Sequence, residues 1–164
     1  MAEVAKQLED YRTIFPDHVV TRIVLSVGTN DLRNGKLTHD VLKGQFKHLC
    51  TRIRNIYPDS RIFFQSLLPL PLRHDNDWET NKRVMDLNNI IFRECSFRKF
   101  YFIDAFYDFC KFNRRFNEPF SRYSKLFEEN GIHPNSKVGM GILARKYIFA
   151  LHKFGKQFHP CIFQ

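Results

Sequence analysis

The chain has 164 residues, 43% of them hydrophobic and 26% charged, which suits one domain of ordinary size and excludes wholesale disorder. A net charge of +9 favours anionic partners such as nucleic acid or acidic surfaces. No apolar run approaches the roughly 20 residues that span a bilayer, and Met1–Lys6 carries no signal-peptide core.

The first element is a helix over 2–15, with Val4, Leu8, Tyr11 and Phe15 on one face and Pro16 as its stop. The β-branched run Thr21–Val27 reads as a buried strand that ends in the turn-like cluster Gly28-Thr29-Asn30-Asp31. A second helix fits 38–57, capped by Thr38, with Val41, Leu42, Phe46, Leu49, Cys50, Ile53 and Ile56 inward. Residues 61–66 form a second strand, followed by a Pro-containing loop over 67–77. A third helix over 79–95 puts Val84, Leu87, Ile91 and Cys95 in register, and Phe100–Asp104 is a third strand.

Residues 105–129 read as a long irregular segment with a helical turn or two, clamped by aromatics. More than half of the 18 phenylalanines lie between Phe92 and Phe127; the plain expectation is a Phe-packed core, with a few rings left to stack on a ligand. Asn135 caps a final helix over 136–153, with Val138, Ile142, Leu143, Tyr147 and Leu151 inward and Gly139 and Gly141 allowing close packing on the sheet. Strands that alternate with helices imply a parallel sheet covered on both faces, in a single domain over 1–164. Cys50, Cys95, Cys110 and Cys161 show no C-x-x-C spacing and read as free thiols in a reducing compartment; neither a metal nor a cofactor is expected, and the location expected is the cytoplasm or nucleus.

Two clusters fall where ligands gather in such sheets, beyond the carboxyl ends of strands. Val27-Gly28-Thr29-Asn30-Asp31 follows the first strand; its glycine permits close backbone approach, and the Asn30 amide can donate to an oxyanion. Asn130-Gly131-Ile132-His133-Pro134 precedes the last helix and offers His133 as a general base. Together, in this order and about 100 residues apart, they resemble the G-x-N-D and D-x-x-H-P blocks of the SGNH (GDSL-type) hydrolases.

That resemblance covers the chain from about Arg22 to Leu151 and implies a flavodoxin-like, SGNH-type three-layer α/β/α fold. It implies an oxyanion hole at Gly28 and Asn30 and a base at His133, with Asn130 in the place of the aspartate that orients the base. Two departures oppose esterase activity. The family's Gly-Asp-Ser strand has no counterpart, since no serine precedes Ser26, and Ser60 stands at the start of a strand, away from the catalytic edge. An amide in the aspartate's place can also select the wrong histidine tautomer; the same swap in a serine protease costs about 10⁴ in rate.

The expectation is therefore a catalytically degenerate module with its first strand missing, similar in kind to the RNA-binding OSK domain of Oskar. RNA would meet a basic surface of Lys137, Arg145, Lys146, Lys153 and Lys156, with Arg114, Arg115 and Arg122 nearby, and no membrane is involved. Two alternatives stand beside it: a serine esterase whose nucleophile block lies outside this chain, and a scaffolding domain without ligand. A missing first strand would leave the Thr21–Val27 strand with an open edge, for the 2–15 helix or a partner protein to cover.

Overall fold

The computed structural model describes residues 1–33, 37–70, 77–113, 118–122, 124–128 and 133–154. Helix α1 runs over Ala2–Ile14, strand β1 over Arg22–Leu25, the short helix α2 over Thr29–Arg33 and helix α3 over His39–Ile56. They are followed by β2 (Arg61–Gln65), α4 (Asp77–Arg98), β3 (Tyr101–Ile103), β4 (Cys110–Asn113), β5 (Glu118–Arg122) and α5 (Gly139–Lys153). Strands β1, β2 and β3 form one parallel sheet in that order, with Leu25 opposite Phe64 and Phe64 opposite Phe102. Helices cover both faces, giving the three-layer α/β/α arrangement.

The sheet is parallel because each strand is a short apolar run that must be buried on both sides. On one face, Ile23, Phe64 and Phe102 meet Phe46, Leu49 and Ile53 of α3 and Leu87 and Ile91 of α4. On the other, Phe63, Tyr101 and Ile103 meet Ala150 of α5 and Phe154 just beyond it. A third cluster joins Ala105, Phe109, Phe127 and Leu143, tying the segment after β3 to α5. Thr38 caps α3 through its hydroxyl, which accepts from the Val41 N–H at 3.4 Å.

Several expectations need correction. Gly28-Thr29-Asn30-Asp31 is not a plain turn: α2 starts at Thr29, and the Leu32 N–H returns to the Gly28 carbonyl at 2.9 Å. The described residues between 105 and 128 include an antiparallel β4–β5 pair that was not expected, beside the two helical turns that were. Helix α5 begins at Gly139 rather than Ser136, because residues 136–138 form a turn first. Val41 and Val138, expected inward, are 44% and 50% exposed, and Tyr11 and Phe15 of the first face also reach solvent. Ala5 is the buried residue of α1, with Val4 and Leu8 half-buried beside it.

Gly141 contacts nothing that a methyl group would meet, so close packing does not require it. Gly139 is tight, but against the Leu126 carbonyl and Pro134 rather than against the sheet. Cys50, Cys95 and Cys110 are buried free thiols, as expected, and burial pushes Cys50 and Cys110 up to about 12; Cys161 lies outside the described residues. Among the described residues nothing pairs with the outer side of β1, and α1 packs on α3.

Candidate active site

Strand β1 delivers the chain to the top of the sheet at Ser26 and Val27. Gly28 follows with φ +110°, a conformation that a side chain would oppose, and a Cβ there would stand 3.1 Å from the Leu87 methyl. The glycine thus turns the backbone sharply enough to start α2, which sets the Asn30 side chain at the rim. Asp31 is held by an ion pair with the Met1 α-amino group at 3.2 Å.

The histidine turn is strapped down from the other side. Phe127 and Pro134 form an isolated antiparallel bridge, and the Glu128 N–H donates to the His133 carbonyl at 2.8 Å. Asn135 then gathers the turn. Its Oδ1 accepts from the Val138 and Gly139 N–H groups at 2.9 and 3.1 Å, and its Nδ2 donates to the Lys125 carbonyl at 2.6 Å. Asn135 thus braces the 136–138 turn rather than capping the helix as expected; the N-cap of α5 is Val138, with no side-chain bond. His133 itself is exposed.

Both motifs line one cavity of about 700 Å³. Gly28 and Asn30 form one side and His133 with Pro134 the other. Residues that motif matching passed over complete it. Gln65, at the end of β2, accepts a hydrogen bond from the Tyr147 hydroxyl and donates to the Ser66 carbonyl at 3.0 Å. Burial pushes the Tyr147 phenol up, so it stays a neutral donor. Leu68, Leu70 and Leu143 supply an apolar wall.

Serines divide clearly. Ser60 is buried and donates to the Val20 carbonyl at 2.5 Å. Ser66 is buried and accepts from the Ala105 and Phe106 N–H groups at 2.9 and 3.0 Å. Both are structural. Ser26, exposed at the end of β1, is the one serine lining the cavity among the described residues.

The remaining expected positions fall elsewhere. Asn130 lies outside the described residues, as do Arg114, Arg115, Lys156 and the Arg122 side chain. Lys137, Arg145 and Lys153 are exposed on α5 or just before it. Lys146 is bound to Asp108 at 2.8 Å, and Lys153 lies over the Phe149 and Phe154 rings. No group of metal-ligating side chains forms among the described residues, and no described helix is long and apolar enough to cross a membrane.

Chemically, an amide donor, a histidine and an apolar wall around one cavity can hold a carbonyl, polarise it and accept a proton. Comparisons with known proteins give the family and the fold. The model of the GDSL-like lipase/acylhydrolase family matches residues 2–138. A GDSL-like lipase from Bacteroides thetaiotaomicron superposes with a TM-score of 0.65 at 18% identity, over 91% of this chain and 71% of that one. A variant of an acetyl xylan esterase from Geobacillus stearothermophilus gives 0.59 at 14% identity, over 96% and 70%. The esterase domain of the ORF1 protein of the zebrafish ZfL2-1 retrotransposon gives 0.56 at 26% identity, over 78% and 66%. No curated protein matches the chain by sequence.

Proposed function

Because this chain belongs to the GDSL-like lipase/acylhydrolase family, we propose that the cavity between Asn30 and His133 is an acyl-ester site. This chain supplies its oxyanion hole and its base. The ester carbonyl oxygen accepts from the Asn30 amide and the Gly28 backbone, the acyl chain lies along Leu68, Leu70 and Leu143, and His133 takes the proton of the attacking hydroxyl. The Gly-Asp-Ser block that carries the nucleophile in this family is absent from the 164 residues, so the chain alone binds the ester and leaves it intact. The observation that supports this reading is the common cavity, which joins positions more than 100 residues apart. The 26% identity to a retrotransposon esterase domain favours esters over other acyl compounds.

The test is a titration of the 164-residue protein with methyl methylphosphonate, a tetrahedral anion that mimics the oxyanion, followed by amide NMR. Shifts centred on Gly28, Asn30 and His133, and lost in Asn30→Ala, are expected. p-Nitrophenyl acetate should be hydrolysed at the buffer rate. Shifts elsewhere, or none, overturn the site. Turnover that is abolished by His133→Ala overturns the claim that the chain lacks a nucleophile, and covalent labelling by a fluorophosphonate then finds it, with Ser26 the first position to inspect.

One observation favours a second reading, RNA binding at α5. From Lys137 to Lys153 the sequence holds basic residues and no acidic one, beside exposed Ile148 and Phe149, with Asp108 facing Lys146. Phosphates would meet Lys137 and Arg145, and unpaired bases would stack on the exposed ring. Salt-sensitive RNA retention that survives Lys137→Glu with Arg145→Glu counts against this face.

A further inference from the structure

A second cavity, of about 380 Å³, lies between α4 and the chain leaving β3. It shares no described lining residue with the Asn30–His133 cavity. Four aromatic rings line it, and they stand as two corners. Phe92 meets Phe102 edge-on at 5.6 Å and 69°, and Phe106 meets Tyr107 at 5.4 Å and 89°. Phe102 and Phe106 are buried and form the deep walls, whereas Tyr107 is 54% exposed and stands at the mouth. Asp104, Met85 and the two amides of Asn88 and Asn89 complete the described lining.

Charge sets this cavity apart from its surroundings. The chain carries +9 overall, yet among the described lining residues there is one acid and no lysine or arginine. Lys146, a cation that acts on Asp104, is engaged by Asp108 at 2.8 Å. Asn88 is not available to a ligand, since its amide both donates to and accepts from the backbone of Leu67 at 3.0 and 2.7 Å. Asp104 accepts from the Phe106 N–H at 3.1 Å and from the Ser66 hydroxyl, and it has acceptor capacity to spare.

Rings set edge-on in pairs turn electron-rich faces in more than one direction, and a carboxylate in the same lining adds a counter-charge. A neutral apolar ligand gains nothing from the carboxylate, and an anion is repelled by it. From this geometry we infer that the Phe92–Phe102–Phe106–Tyr107 cavity is a binding site for a quaternary or alkylated ammonium group. The rings take its methyl groups and Asp104 balances its charge. The cavity is large enough for a small-molecule headgroup and is separate from the proposed ester site.

The test uses choline and its uncharged carbon isostere, 3,3-dimethylbutan-1-ol, followed by ligand-observed saturation-transfer NMR on the 164-residue protein. Choline is expected to bind saturably, with the isostere at least about tenfold weaker, because only the cation feels the ring faces and the carboxylate. Asp104→Asn keeps the acceptor for Phe106 and removes the charge; it should weaken choline several-fold and leave the isostere unchanged. Tyr107→Leu, at an exposed position, should weaken choline alone. Equal binding of the two ligands overturns the inference, as does undiminished choline binding in both variants. So does absence of saturation at about 50 mM choline, far above a millimolar dissociation constant. Choline contacts centred on Asn30 and His133 would place the probe in the other cavity and overturn it equally.

Discussion

The two faces of the sheet are built to different standards. Under α3 and α4 lies a continuous core in which Leu42, Phe46, Cys50, Ile53, Val84, Leu87 and Ile91 lose all contact with solvent. Under α5 the clusters are small, and the same helix leaves Met140, Ile148 and Phe149 between 49% and 62% exposed. The thick face holds the strands in register. The thin face carries the histidine turn, which backbone hydrogen bonds, the Asn135 side chain and one tight glycine hold in place. A site split in this way can lose its base without losing its fold.

The largest effect should come from the thick face. Phe46→Ala removes a fully buried ring that packs edge-on against Phe64 at 4.8 Å, and should lower unfolding stability by about 3–5 kcal/mol. Phe149→Ala, on the thin face, should stay within about 0.5 kcal/mol of wild type. Urea midpoints of the two variants measure the contrast, and comparable losses would break it.

Next in size is a contrast inside α5. A methyl at Gly139 would stand 2.2 Å from the Leu126 carbonyl and 2.8 Å from the Pro134 ring, so Gly139→Ala must push the histidine turn away. The expected cost is about 1–3 kcal/mol, with altered amide shifts at Glu128 and His133. Two residues on, nothing lies within 4 Å of the same methyl at Gly141, and Gly141→Ala should stabilise the protein by about 0.5–1 kcal/mol through helix propensity. Opposite signs in thermal unfolding would sharpen the picture of a histidine turn held by packing at one point. Equal signs would remove it.

Legibility in the sequence follows the same division. The three strands could be read because each is a short, dense apolar run, and helices α3 and α4 because their apolar residues recur with the helical period. The hairpin could not, since Cys110–Asn113 alternates over only four residues and Glu118–Arg122 carries a proline and no alternation, and they pair through contacts that no local pattern records. Val138 misled for a related reason: it continues the apolar period of α5 but sits in the turn that precedes the helix, where that period no longer points inward. Of the proposed ester cavity, Gly28, Asn30 and His133 were legible as motif positions. Gln65, Tyr147, Ser26 and Leu143 were not, because each reads locally as ordinary strand, helix or loop, and only the stacking of β1, β2 and α5 brings them together.

The smallest predicted effect lies at the seam between the faces, where Asp104 leaves β3. Burial pushes its carboxyl up from the ordinary value; the Phe106 N–H, Lys146 and Ser66 pull it down and Asp108 pushes it up, with Cys110 and Tyr107 also facing it. A raised carboxyl in the folded chain means that the fold binds more protons than the unfolded chain just above the ordinary carboxylate range. The slope of stability with pH is then negative: the contribution is fully present below the unfolded value and falls as pH rises through the raised one. Measured between about pH 4 and pH 7, wild type should therefore lose stability relative to Asp104→Asn, by less than the Gly139→Ala effect because the group is only half-buried. Parallel pH profiles would mean that Asp104 is solvated as freely as a surface carboxylate, which would also remove the buried counter-charge from the aromatic cavity.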